Sequence, residues 1–193
     1  MEERAMGFSG AGMRRRVLGA AVAAGAAVPL LPAVAPPAAA DVGGVRGCES
    51  GDFKLIYEGR EAAAGTDYIR FAMQRIMGDG PGGEPCAIHA PLPVHWVADG
   101  PDGERVGDWG RYDSEPPEPF TVEPGGRADL VVRQPNPVNY PEEECDPQPV
   151  AGVRLYLRFE DDPGTYGSTG GQDVMCAEPG KAVPTAVVTP HGG

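Results

Sequence analysis

Residues 41–193 predict an all-β fold, an antiparallel sandwich or barrel of about eight short strands. Three observations carry this. Apolar residues recur with period two, turn-forming clusters break the chain roughly every ten to fifteen residues, and four cysteines (Cys48, Cys86, Cys145 and Cys176) mark a small disulfide-bonded domain.

Phe53, Leu55 and Tyr57 form the first alternation. Residues 68–77 fit two templates. Ile69, Ala72, Met73 and Ile76 make a helical face, whereas Ile69, Phe71 and Met73 make a strand, and periodicity does not separate them. Ile88, Ala90, Leu92, Val94 and Trp96 make one apolar face, opposed by His89, Pro91, Pro93 and His95. Proline cannot donate to a ladder, so this run reads as an edge or irregularly paired strand. Phe120 with Val122 and Leu130 with Val132 are shorter candidates. Val153, Leu155, Leu157 and Phe159 alternate with Arg154, Tyr156, Arg158 and Glu160, the cleanest half-buried strand. Val174 with Cys176 and Val183 with Val187 complete the set. Turns are expected at residues 78–83, 99–103, 124–126 and 162–164, all rich in Gly and Pro and all but 124–126 with Asp. Residues 107–119 and 134–149 read as loose loops. Glycine and proline make up about a quarter of the domain, a fraction also found in unstructured chains. Alternation and cysteines outweigh it.

Residues 1–40 read as a cleavable export signal. Arg14-Arg15-Arg16 supplies the positive start, Val17 to Val34 an alanine-rich apolar run, and Ala38-Ala39-Ala40 the cleavage site, leaving Asp41 as mature start. Glu2 and Glu3 do not suit such a start, which points to Met13 or Met6 as the working first residue. Pro29 and Pro32 argue against a membrane span. Arg14-Arg15-x-Val17-Leu18 matches the twin-arginine pattern loosely, so that route and the general one both stay open. A single secreted, extracellular domain is expected. The chain's net charge is −12, and residues 1–40 carry Arg4, Arg14, Arg15 and Arg16 against Glu2 and Glu3, so the mature value is −14. Nucleic acid and anionic membranes are poor partners for it. A cationic partner, or solubility alone, suits it better.

No residue set makes a catalytic centre. His89 and His95, six apart on one strand, would lie about 20 Å from each other, too far to share a zinc, and read as surface histidines. His191 stands near the C-terminus. Glu142-Glu143-Glu144 with Asp146, and Glu160-Asp161-Asp162, lack calcium-loop spacing and read as solvated acidic loops. Neither Ser50 nor Ser168 lies in a nucleophile elbow, and no Cys-x-x-Cys pair occurs. No catalytic residue, metal site or cofactor is expected. Trp109, Arg111 and Tyr112, two aromatics and an arginine in a polar loop, have the composition of a contact surface. The alternative is aromatics folded back over a sandwich end.

Several segments, in order, resemble a known pattern: Cys48 ahead of a strand, Ala63-Ala64-Gly65-Thr66-x-Tyr68, Cys86-x-Ile88, Pro93-x-x-Trp96, Pro124-Gly125-Gly126-x-Ala128, Cys145, Val153–Leu155 and Cys176. Together they resemble the exported actinobacterial domain of unknown function 4232 family, over nearly the whole mature chain. Thr66 stands for the family's Ser, Gln74-Arg75 for its Asn-Thr, and Ala90-Pro91-Leu92-Pro93-Val94 for its Gly-Tyr-Pro-Gly-Val, so the chain reads as a divergent member. The resemblance implies an immunoglobulin-like antiparallel β-sandwich of about seven to eight strands, export, and no known activity. It also favours strand for residues 68–77. Four cysteines allow three connectivities. Joining sequence-near strands favours Cys48–Cys86 and Cys145–Cys176, which the resemblance also implies. Two functions follow as expectations: a non-catalytic module binding a protein or cell-envelope component, or a protease inhibitor of the bacterial subtilisin-inhibitor kind. For the second, Val174-Met175-Cys176 resembles a cysteine-anchored reactive loop, although only 17 residues follow Cys176.

Overall fold

The structure, a computed structural model, describes residues 44–76, 83–89, 93–112, 118–158 and 162–192. The expected export signal and Asp41 start, most of the expected 78–83 turn, Ala90 to Leu92, residues 113–117 of the expected 107–119 loop and Phe159 to Asp161 lie outside the described residues. Twelve strands occur among those described. The first six are β1 (Arg46–Gly47), β2 (Phe53–Ala63), β3 (Thr66–Arg75), β4 (Cys86–Ile88), β5 (Val94–Val97) and β6 (Arg105–Val106). The rest are β7 (Arg111–Tyr112), β8 (Phe120–Val122), β9 (Arg127–Pro135), β10 (Pro147–Leu155), β11 (Thr165–Cys176) and β12 (Thr185–Pro190).

They form three sheets, ordered β2-β3-β9-β12-β7, β11-β10-β5-β6 and β1-β4-β8. Their inner faces share one core, so the chain is an all-β sandwich. The count of twelve corrects the expected seven to eight, because several pieces are only two or three residues long. Two short pairings, β1 with β4 and β7 with β12, are parallel, whereas all the others are antiparallel.

Residues 68–75 resolve as strand, while Ile76 follows the end of β3 and Met77 lies outside the described residues. Ile69, Phe71 and Met73 are fully buried in the core, and Ala72, the residue that favoured a helix, is small and buried on the opposite face. The β2–β3 hairpin turns on Ala64 and Gly65, both at positive φ (48° and 77°), which is the twist a two-residue hairpin needs. In β9, Ala128, Leu130, Val132 and Gln134 all point inward. Gln134 is therefore a buried amide, and it is satisfied. Its Oε1 accepts from Trp96 Nε1 at 2.6 Å and its Nε2 donates to the Ala182 carbonyl at 2.6 Å, tying the two large sheets through the core.

Four expectations need correction. The run from Ile88 to Trp96 is not one strand but two, β4 and β5, in different sheets. At β12 the inward residues are Ala186 and Val188 rather than Val183 and Val187, a one-residue slip in a run that carries apolar residues on both faces. Val174 is half exposed although Cys176 beside it is buried, because Met175 fills the main core. Residues 134–149 are no loose loop: a 3-10 turn (Pro137–Asn139), a one-turn helix α1 (Glu142–Cys145) and the start of β10 occupy them. The disulfides are Cys48–Cys86 and Cys145–Cys176, the favoured pairing.

Candidate functional site: an aromatic patch on the four-stranded sheet

Val94 and Trp96 of β5 fill the core, so His95 between them points to the other face, paired in register with Arg154 of β10. It is nevertheless only 6% exposed, which corrects its reading as a surface histidine. Two aromatic rings cover it: Trp109 edge-on at 4.6 Å between centroids, and Tyr156 stacked at 5.7 Å. Trp109 and Tyr156 also meet each other, at 5.3 Å. His95 Nδ1 lies 3.0 Å from the Trp96 carbonyl, which only accepts, so Nδ1 carries the proton. Nε2 is then left to accept from the Tyr156 hydroxyl at 3.2 Å. Burial first, then the nearby Arg154 and Arg105 guanidinium groups, hold the imidazole below its ordinary value of 6.5, against the opposing pull of the Trp96 carbonyl. The ring is neutral at pH 7, and both its nitrogens are engaged.

Trp109 reaches this face because residues 107–110 are fixed at several points. Asp108 Oδ2 accepts from the Gly180 amide at 2.6 Å, and the Gly110 amide donates to the Val94 carbonyl at 2.6 Å. The Arg111 amide then donates to the Pro184 carbonyl at 2.8 Å. Any side chain at Gly110 would press on Val94, with Cβ only 3.0 Å from its carbonyl oxygen, so glycine is required there. The chain thereby crosses from β6 in one sheet to β7 in the other. Trp109 stays 45% exposed, with the Arg105 guanidinium 5.5 Å from its ring centroid.

Of the three residues expected as a contact loop, the structure places Trp109 in this patch. Arg111 is an exposed residue of β7, in register with Thr185, and Tyr112 is in register with Ala186. Trp109 folds back over the sheet and keeps a face open. His95, Tyr156 and Arg105 were not singled out as contact residues. Alternation placed the first two off the core face, but only the tertiary path of residues 107–110 brings them under Trp109.

Several of the other candidates have structural partners. Ser50 Oγ, buried, bonds the Asp162 carboxylate at 2.7 Å, and Ser168 Oγ approaches the Ala151 carbonyl at 3.3 Å. His89 is half-buried, and His191 pairs with Asp129 at 2.9 Å. Glu144 pairs with Lys181, and Asp146 accepts from Gln148. Cys48, Asp52 and Cys86 are the one close trio of metal-ligand types among the described residues, and both of its sulfurs are in a disulfide. No helix among the described residues is long and apolar enough to cross a membrane. Comparison with family models, curated proteins and solved structures finds no match.

Proposed function

We propose that the chain is an exported, non-catalytic binding domain that contacts a protein or cell-envelope component through Trp109 and Tyr156. The observation that carries this is the half-exposed Trp109 held on a rigid base of His95 and Tyr156. A large ring already ordered before contact loses little entropy when it buries its open face. Two disulfides suit an oxidising compartment, which supports the reading of residues 1–40 as an export signal. The resemblance to the exported actinobacterial family supports the same assignment. Catalysis is disfavoured because His95 spends both nitrogens on the Trp96 carbonyl and Tyr156, with no serine or cysteine among its partners. An inhibitor loop is disfavoured too, since Met175 is buried and paired with Gln148 rather than presented on an exposed loop.

Sedimentation of the purified mature domain with an actinobacterial cell-envelope fraction tests the proposal. Wild-type protein is expected to co-sediment. Trp109→Ala should weaken retention about tenfold or more with little change in melting temperature, as for a contact hot spot. Equal retention of Trp109→Ala and wild type would rule out the patch.

A further inference from the structure

A second site, separate from the aromatic patch, lies where the β2–β3 hairpin, the 3-10 turn, α1 and the far end of β11 meet. It is a cavity of about 380 Å³, near the lower end of the range for small-molecule sites. Asp67 lines it. Its neighbours along β3, Ile69, Phe71 and Met73, point into the core, and Asp67 continues that inward row in register with Gln134. The residue is only 7% exposed, yet among the described residues its carboxylate makes no hydrogen bond or ion pair. Its oxygens are not among the fully buried unpartnered atoms, so they open to the cavity, where a charge-assisted bond to a cationic guest is available to them.

The other lining groups narrow what that something is. Arg60 lines the cavity and pairs with Asp173 at 2.9 Å, making no ion pair with Asp67. Glu142 adds a second carboxylate to the lining. The remaining wall includes Val138, Tyr140, Val174 and Met175, so apolar and aromatic side chains make up much of it. Anions are disfavoured by the two carboxylates, and a purely apolar guest would leave Asp67 unsatisfied.

We propose that this cavity binds a small organic cation, with a primary ammonium on Asp67 and a carbon body against Tyr140, Val174 and Met175. The mature domain's net charge, −12 for the chain less +2 for residues 1–40 and so −14, draws cations toward it at long range.

Titration calorimetry of the mature domain with phenethylamine, set against its uncharged analogue phenethyl alcohol, tests this. Wild-type protein is expected to bind the amine saturably and the alcohol about tenfold or more weakly, the difference a charge-assisted pair makes. Asp67→Asn should lose amine binding by a similar factor. Should that variant fail to fold, Val174→Lys decides instead, because it sets a cation at a half-exposed wall position and leaves the buried carboxylate intact. Loss of amine binding in Val174→Lys supports the site. No saturable binding by wild type, equal binding of alcohol and amine, or undiminished binding by a folded Asp67→Asn or Val174→Lys overturns it.

Discussion

The hydroxyl of Ser50 lies 2.7 Å from the Asp162 carboxylate and 3.1 Å from the Leu157 amide, joining the segment after Cys48 to the connection between β10 and β11. The Asp162 carboxylate also accepts from the Leu157, Arg158 and Gly164 amides. Burial alone would raise its pKa, but the hydrogen bonds from Ser50 and these amides outweigh it and hold the group below 3.8. A depressed folded value means that the stabilisation is present above the unfolded pKa and is lost as pH falls through the folded one. Ser50→Ala should cost about 1–2 kcal/mol at neutral pH, from one buried charge-assisted bond, and should make the acid-side loss shallower. Urea unfolding of both proteins at several pH values measures this, and parallel acid limbs would show that Ser50 does not hold Asp162. His95 acts with the same sign in a higher window. Its value is also depressed, so stability is complete above about 6.5 and declines as pH drops toward its folded value. His95→Gln should flatten the stability profile between about pH 7 and pH 5. A profile that keeps its slope in the variant would assign it to another group.

At the scale of elements, β11 shows how closely the sandwich is packed. A Cβ on Gly167 would lie 2.8 Å from Leu55 Cβ and 3.0 Å from Phe71 Cε1, so β11 seats against β2 and β3 at a position with no room for a side chain. Gly167→Ala should cost about 1–3 kcal/mol through overpacking, whereas Gly171→Ala, with nothing near its Cβ, should be close to neutral. Equal thermal melts for the two variants would contradict this packing. Nothing in the sequence separates Gly167 from Gly171, because the difference lies in what approaches from another strand. Strands with clean alternation, such as Phe53 with Leu55 and Leu130 with Val132, were legible because one face is buried and the other is not. The two-residue strands were not, since a pair of residues has no period. Ile88 to Trp96 misled for a related reason: its apolar residues do face inward at both ends, but they face inward from different sheets. Trp109 was legible as an exposed aromatic from its polar surroundings. Its base of His95 and Tyr156 was not, for those contacts join segments far apart in the chain.

At the scale of the whole molecule, the described residues make one large core and one small one, and each contains a disulfide. Cys48 and Cys86 belong to the principal core, whereas Cys145 and Cys176 sit with Ala182 and Tyr140 in a separate small cluster. The bridged residues are 38 and 31 positions apart, so chain entropy assigns the two bonds nearly equal weight, about 3.5–4 kcal/mol each. Their surroundings should separate them. Replacing Cys48 and Cys86 by alanine leaves a void among residues packed on all sides, where relaxation is limited, and adds a cavity penalty of about 1–2 kcal/mol. The small cluster can close over a lost sulfur more readily. Backbone bonds from Ala177 to the Asp146 carbonyl and from Glu178 to the Cys145 carbonyl also hold that corner without the disulfide. The Cys145→Ala/Cys176→Ala pair should therefore keep a cooperative unfolding transition and lose less stability than Cys48→Ala/Cys86→Ala. Its hydrogen-exchange protection should fall mainly across residues 137–146, the segment that walls the Asp67 cavity, while β3 and β9 keep theirs. Urea melts of both double variants, read with amide exchange, decide the matter. A larger loss from the Cys145–Cys176 pair, or exchange that spreads evenly over the β3 and β9 amides, would mean that the two cores unfold as one and that the small cluster is no independent support.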